Sequence, residues 1–331
     1  MSTTSRNFYK FLLISLVTCI FIIFFTSRTY DFKFDQQHQT VNGNAKNDNN
    51  NSTNKINKPK WLLNNLIDLT SNLKNVRKDK KSLQPFDLLL ATPTRTNAPT
   101  DYEDHYATEN FFYGMIGGIV MEMGALDGTY PKGHSMSYAF TKFGWKRILI
   151  EGNPIHKKKL SEHKDGIAVN AVVCDQRRKV HYVNRKTISG IIEFMPIKFL
   201  KDSHPMIHKA YKSHDGPLKP EDWNVVSHLV YEVDCLPLSE ILSYIRVQHI
   251  NFFILDVEGA EGAILQSIDF DSIMFDVIVI ENVLQRPKGY KEGITKFLKP
   301  HGYEAIVELG RNTWYKNINF APSSRKHENN Y

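Results

Sequence analysis

Glutamate is missing from the first 100 residues of this 331-residue chain, which hold 14 Lys and Arg against six Asp. Residues 101–331 hold 28 Lys and Arg against 29 Asp and Glu, so the formal net charge of +7 belongs to the N-terminal third. That removes the nucleic-acid reading which a basic chain invites. Only three cysteines are present, too few for a disulfide-built scaffold. With 18 Gly and 14 Pro the chain is not collagen-like. A hydrophobic content of 41% and a charged content of 23% exclude a chain disordered throughout and a polytopic membrane protein. The length fits one or two domains.

The apolar residues of the N-terminal third lie in one place. Phe11 to Phe25 is interrupted only by Ser15 and Thr18 among polar residues, and Phe8 and Tyr9 extend it towards the length of a membrane-spanning helix. Arg6 and Lys10 precede it, whereas Arg28 and Lys33 are diluted by Asp31 and Asp35. This bias predicts a cytoplasmic N-terminus and a lumenal remainder, a single-pass type II anchor of the Golgi or endoplasmic reticulum. A cleaved signal peptide is the competitor, and Phe24-Phe25-Thr26-Ser27-Arg28 suits cleavage poorly. Residues 1–30 are therefore assigned to the tip and anchor, and residues 31–100 to a flexible basic stem. Residues 36–60 are rich in Asn and bury too little to order themselves. They contain the overlapping glycosylation sequons Asn50-Asn51-Ser52 and Asn51-Ser52-Thr53. Leu62, Leu66, Leu69, Leu73 and Val76 are spaced as on one helix face. That helix would lie against the following domain or pair with a second copy in a homodimer.

From residue 101 to about 320 strands and helices alternate, followed by a polar tail at 321–331. Apolar runs at Ile119–Met123, Arg147–Ile150, Ile167–Val173, Ile250–Val257 and Asp276–Ile280 predict strands. Helical stretches around Ser135–Phe143, Pro154–His163, Ala260–Ile268 and Lys291–Leu298 separate them. Residues 302–309 and 312–316, joined through Gly310-Arg311, predict an antiparallel hairpin edge. Residues 176–235 are less regular and read as a β-insertion with loops. The pattern is that of an α/β, Rossmann-like, mainly parallel sheet with an antiparallel C-terminal edge. Ligands of such sheets bind at the carboxyl ends of the strands. Glu122, Glu151, Asp175, Asp256, Glu258 and Glu281 all fall there.

Glu122-Met123-Gly124-Ala125-Leu126-Asp127-Gly128 is an acid followed by a Gly-x-x-x-Gly turn. A dinucleotide fingerprint needs a third glycine, and Asp127 would oppose a pyrophosphate. An acid-flanked turn suits a cationic ligand such as S-adenosylmethionine. Glu151 ends the second strand, where a carboxylate can accept from ribose hydroxyls. The segments 120–128, 143–154 and 254–261, in this order, resemble the FkbM-type methyltransferase domain, in its eukaryotic, membrane-anchored branch. Cys235-Leu236-Pro237-Leu238 and Gly302-Tyr303 match its usual punctuation. The resemblance covers about residues 105–317 and implies an S-adenosylmethionine-dependent O-methyltransferase acting on hydroxyls of sugars, polyketides or other small molecules, while the expected secretory location points to a glycan or glycolipid acceptor. It implies that Glu122, Gly124, Ala125, Asp127 and Gly128 hold the methionine end of the cofactor. Glu151 would bind the ribose, with Asn153 beside it. Cys174 and Asp175 would flank the adenine, and Asp256 would lie below the methyl group. Two departures stand out. Residues 129–137 lack the Ser-Asn-Thr usual in that branch, and Gly152 stands where Pro or Ala is common.

A hydroxyl acceptor gains from a base within hydrogen-bond reach. Glu258 is the first candidate, Asp256 the second and His134 an alternative, while Glu258 could also simply cap the helix that follows it. No metal site is expected: His204, His208 and His214 cluster in the insertion, but Pro205 interrupts their spacing. Cys174 and Cys235 could pair in an oxidising compartment, or Cys174 could be a buried thiol. A Golgi glycosyltransferase, with Asp256-Val257-Glu258 imitating a metal-binding triplet, is one competing function. A non-catalytic binding module is another.

Overall fold

The most apolar strand of the chain sets the architecture. His249–Leu255 is buried from Ile250 onwards and lies at the centre of a seven-stranded sheet. Numbered along the chain, the strands are β1 (Lys74–Asn75), β2 (Met115–Ile116), β3 (Ile119–Met123), β4 (Lys146–Glu151), β5 (Gly166–Asn170), β6 (Val172–Val173) and β7 (Arg178–Val183). They continue as β8 (Gly190–Ile191), β9 (Val230–Leu236), β10 (His249–Leu255), β11 (Met274–Glu281), β12 (Tyr303–Leu309) and β13 (Asn312–Asn317). The main sheet has the order β12-β13-β11-β10-β3-β4-β5. Its strands from β5 to β11 are parallel, and β13 and β12 close it antiparallel. The computed structural model describes residues 58–69, 74–75, 79–92, 103–130, 134–212, 228–282 and 286–325.

Strand order reverses between β3 and β10. The chain runs outward through β4 and β5, then returns to build β10 and β11 on the other side of β3. A crevice opens at the carboxyl ends of strands at such a switch point. Both faces of the sheet are covered, as continuous apolar strands require. One face carries Met121, Met123, Ile150, Phe253, Leu255 and Ile280 in the larger core cluster. The other carries Val120, Phe252, Ile254 and Val279, packed on Phe112, Phe140, Trp145 and Trp314.

The expected strands and the antiparallel hairpin are present, with three differences. The helical stretch expected from Ser135 is a 3-10 helix over Tyr138–Phe143, ended by Gly144 in the left-handed region. The third strand divides: β5 stays in the main sheet, and β6 joins a four-stranded sheet of order β6-β9-β7-β8 built by the insertion. The insertion also holds the helices Ile197–Ser203 and Pro205–Lys212.

The third difference is in the segment assigned to the stem. Residues 62–69 form no helix. They run along the β5 edge, where the Leu63 amide donates to the Ala168 carbonyl and the Asn170 amide to Trp61. The Asn64 side chain completes this pairing by accepting from the Ala168 amide and donating to the Gly166 carbonyl. Leu62 and Leu69, 4% and 6% exposed, are spent on the domain's own core rather than on a helix seam. The first helix among the described residues spans Lys80–Ala91, capped by Asp79, and buries Phe86 and Leu89 against Tyr113 and Phe143. No helix among the described residues is long and apolar enough to cross a membrane. The apolar run at residues 8–25 lies outside them.

Candidate active site

A cavity of about 430 Å³ lies at the switch point. Gly124, at φ +83°, makes it possible. A β-carbon there would lie 1.8 Å from the Asp256 carbonyl oxygen, so only glycine lets the turn after β3 meet the end of β10. The backbone bond from the Asp256 amide to the Met123 carbonyl fixes that meeting.

Glu151 lines the cavity at the end of β4. The Leu126 amide donates to its Oε2 at 2.9 Å and the Asn153 amide to its Oε1 at 2.6 Å. Burial pushes its pKa up to about 7 in spite of these bonds and of the Tyr182 hydroxyl. Asp256 and Glu258 also line the cavity, as do Glu281 at the end of β11 and His134. One oxygen from each of Asp256, Glu258 and Glu281 lies within 4.8 Å of the other two. Burial, then the neighbouring Glu281, raises Asp256 well above the usual carboxylate range. Burial, then Glu281 and Glu261, raises Glu258 to about 8. Glu258 itself sits at φ +56°, a left-handed conformation uncommon outside glycine.

The remaining residues expected at the site are held elsewhere. The Glu122 carboxylate, 1% exposed, accepts from the Ser135 and Ser137 hydroxyls and from the Met136 and Ser137 amides. It anchors the loop under the 3-10 helix and does not line the cavity. Asp127 pairs with Lys159 at 2.8 Å and accepts from Thr129. Burial opposes ionisation, but the bonds from Lys159 and Thr129 hold its pKa down at about 2. Ala125 is buried with Leu149, Leu160 and Ala168. Gly128 gives its carbonyl to the buried Arg147 guanidinium. Asn153 lies behind Glu151 and bonds Asn184 and Ser189 through its amide. Cys174 is no free thiol beside a ligand, because it is bonded to Cys235. Asp175 pairs with Arg178 at 2.8 Å and is absent from the cavity lining. Thus Gly124, Glu151, Asp256 and Glu258 come together, and Glu122, Ala125, Asp127, Gly128 and Asn153 support the turn around them. His204 is buried against Phe199 and does not itself line the cavity, and His214 lies outside the described residues.

Several lining residues had no signal of their own in the sequence. Tyr182 and Ser189-Gly190-Ile191 come from the insertion, whose small sheet forms one wall. Arg311 and Asn312 come from the β12–β13 turn, and Glu103 and Asp104 from the start of the helix Glu103–Asn110. Arg311 pairs with Glu281 at 2.9 Å, and Asn312 donates to Glu103.

These features fit a cationic ligand with a ribose: a glycine cradle, a hydroxyl-accepting carboxylate on the second strand, and further carboxylates at the switch point. The model of the FkbM methyltransferase domain matches residues 122–305. The chain is similar to the crystal structure of a methyltransferase FkbM from Methylobacillus flagellatus KT, at 12% identity and a TM-score of 0.35, covering 71% of this chain and 59% of that one. It is also similar to a putative RNA methyltransferase from Pyrococcus horikoshii, at 13% identity and a TM-score of 0.32, covering 75% of this chain and 92% of that one. No curated protein matches the chain. With more than half of its residues in the matched domain, the chain belongs to the FkbM methyltransferase family, whose members use S-adenosylmethionine.

Proposed function

We propose that the protein transfers a methyl group from S-adenosylmethionine to a hydroxyl of a glycan or glycolipid in the secretory pathway. The observation that carries this reading is the convergence of Gly124, Glu151, Asp256 and Glu258 on one cavity at the switch point. Bound there, the cofactor supplies a methyl group already activated on a sulfonium. The chain's own residues do the rest. Gly124 lets the backbone approach the ligand. Glu151 keeps acceptor capacity on Oε2 for ribose hydroxyls while two amides hold it in place. The acceptor oxygen must lose its proton as it gains the methyl group. Glu258, on the cavity wall, is the first candidate to take it, and with a pKa raised to about 8 it does so in the ionised form that mildly alkaline solution favours. Asp256 is the second candidate for that role, and His134, also on the wall, the third.

Two observations support the compartment. The Cys174–Cys235 disulfide belongs in an oxidising environment. The apolar run at residues 8–25, with more positive charge before it than after it, reads as a type II signal anchor. The working domain is close to neutral, which suits a sugar acceptor better than a nucleic acid. Mass spectrometry of glycans from cells with and without the protein tests the proposal. Methyl-sized mass differences that depend on the protein are expected, and their absence from every glycan and glycolipid class rejects the acceptor assignment. Titration calorimetry with S-adenosylmethionine tests the cofactor separately.

A further inference from the structure

We infer that Asp256, Glu258 and Glu281 bind one divalent, oxygen-preferring cation, and that its open coordination positions receive the hydroxyl oxygens of the acceptor. The second half rests on the methyl-transfer reading above, with Glu258 binding the cation through one oxygen and keeping the other for the acceptor's proton; the first half does not.

Strand register brings the donors together. Leu255 of β10 pairs with Ile280 of β11, so the next residue in each chain, Asp256 and Glu281, stand side by side on two rigid neighbours. Glu258 enters from the turn after β10, its β-carbon next to Gly190 of the small sheet. All three donors are carboxylate oxygens, the set preferred by Mg²⁺, Ca²⁺ and Mn²⁺. Their mutual separations, within 4.8 Å, suit a shared ion. Ligands opposite one another across Ca²⁺ lie about 4.8 Å apart, and across Mg²⁺ about 4.2 Å.

A separate observation points to a missing ligand. Glu281 is 4% exposed, and its Oε1 is taken by Arg311, yet its buried Oε2 has no hydrogen-bond partner. A buried carboxylate oxygen left without a donor is costly, and the only relief the cluster itself offers is a proton shared with Asp256, which a bound cation would replace. This oxygen belongs to a group on the cavity wall, beside Asp256 and Glu258. Among the described residues one guanidinium, Arg311, pairs directly with the three carboxylates, and Arg286 acts on Glu258 from beyond contact, so negative charge remains in excess in the cluster itself. A cation with three protein oxygens keeps coordination positions open towards the cavity. Two neighbouring hydroxyls of a sugar are suited to fill them, which narrows the acceptor to a glycan with a vicinal diol.

The test is a titration of Mn²⁺ alone into the full-length protein, read by electron paramagnetic resonance in mildly alkaline solution. One bound Mn²⁺ per chain is expected, displaced by Mg²⁺ or Ca²⁺. Glu281→Gln and Asp256→Asn should each weaken binding about tenfold or more, with a thermal melt confirming that each variant is folded. If wild-type protein that binds S-adenosylmethionine takes up no Mn²⁺, the two neighbouring carboxylates share a proton instead, and the site is rejected while the methyltransferase reading stands. Mn²⁺ binding that survives both substitutions also rejects it. If Mn²⁺ binds as expected but S-adenosylmethionine does not, the functional reading fails and the cation site survives. For the acceptor half, transfer to diol-bearing glycans should stop on chelation and return with Mn²⁺. Undiminished transfer in chelator, by a chain shown to bind Mn²⁺, overturns that half alone.

Discussion

Gly124 touches the Asp256 carbonyl oxygen so closely that a single added carbon would stand 1.8 Å from it. The contact joins the turn after β3 to the end of β10, the two strands that flank the switch point. Gly124→Ala must therefore push the two apart and also hold alanine at a positive φ. The expected cost is about 1–3 kcal/mol of stability from overpacking alone, with S-adenosylmethionine affinity lost more than proportionately. Urea unfolding and calorimetry of the same variant check both. A variant with wild-type affinity would show that the turn does not shape the cofactor cradle.

Glu151 sets a pH dependence. Its pKa in the folded protein, about 7, lies above the ordinary value of 4.5 because it is buried. The folded state thus holds a proton that the unfolded state has released. Stability from this group is fully present below about 4.5 and is lost as pH rises through 7, by up to about 3 kcal/mol. Glu151→Gln should flatten this part of the stability profile. In the wild type, cofactor affinity should rise over the same interval, since hydroxyl donors favour the ionised carboxylate. Denaturation and binding measured across pH for both proteins check the sign. Unchanged slopes in the variant would remove Glu151 from the account.

Glu258→Gln keeps the shape of the side chain and removes the proton acceptor. Transfer should fall by about 10²–10⁴-fold, with affinity for S-adenosylmethionine within about twofold of wild type. His134→Ala should leave most of the rate. Single-turnover kinetics alongside binding separate the two effects. Normal turnover in Glu258→Gln would move the role to Asp256 or His134.

The Cys174–Cys235 bond closes a loop with a sequence separation of 61 residues and ties β6 to β9 in the wall of the cavity. Loop-closure entropy puts its contribution at about 4 kcal/mol. Reduction, or replacement of both cysteines by serine, should lower the unfolding midpoint by a matching amount, as measured by denaturant titration with and without a thiol reductant. An unchanged midpoint would make the bond energetically idle.

The sheet and its ligand edge were legible because both are written locally. Continuous apolar runs such as Phe252–Leu255 announce buried strands, and the carboxylates that end them fall where parallel sheets bind ligands. Roles that depend on distant partners were not legible. Glu122 looks like a ligand-facing acid until Ser135 and Ser137, more than ten residues on, occupy its oxygens. The tie between Asn312 and Glu103 spans 209 residues and leaves no periodicity to read. Leu62, Leu66 and Leu69 carry helical spacing, yet an open strand edge outcompetes a short isolated helix by offering backbone partners and a core together. Cys174 and Cys235 permitted pairing, but only the meeting of β6 and β9 decides it.

The strap of residues 61–64 along β5 also imposes an order on the chain's own synthesis. The Ala168 amide that donates to the Asn64 side chain follows it by 104 residues. During elongation Leu62 and Leu69 emerge well before the edge that will cover them exists. They stay exposed until β5 has left the ribosome, with the β5 edge itself open until the strap lands. Closure of the domain is thus a late, long-range event, and the interval before it is when the nascent protein most needs protection from aggregation.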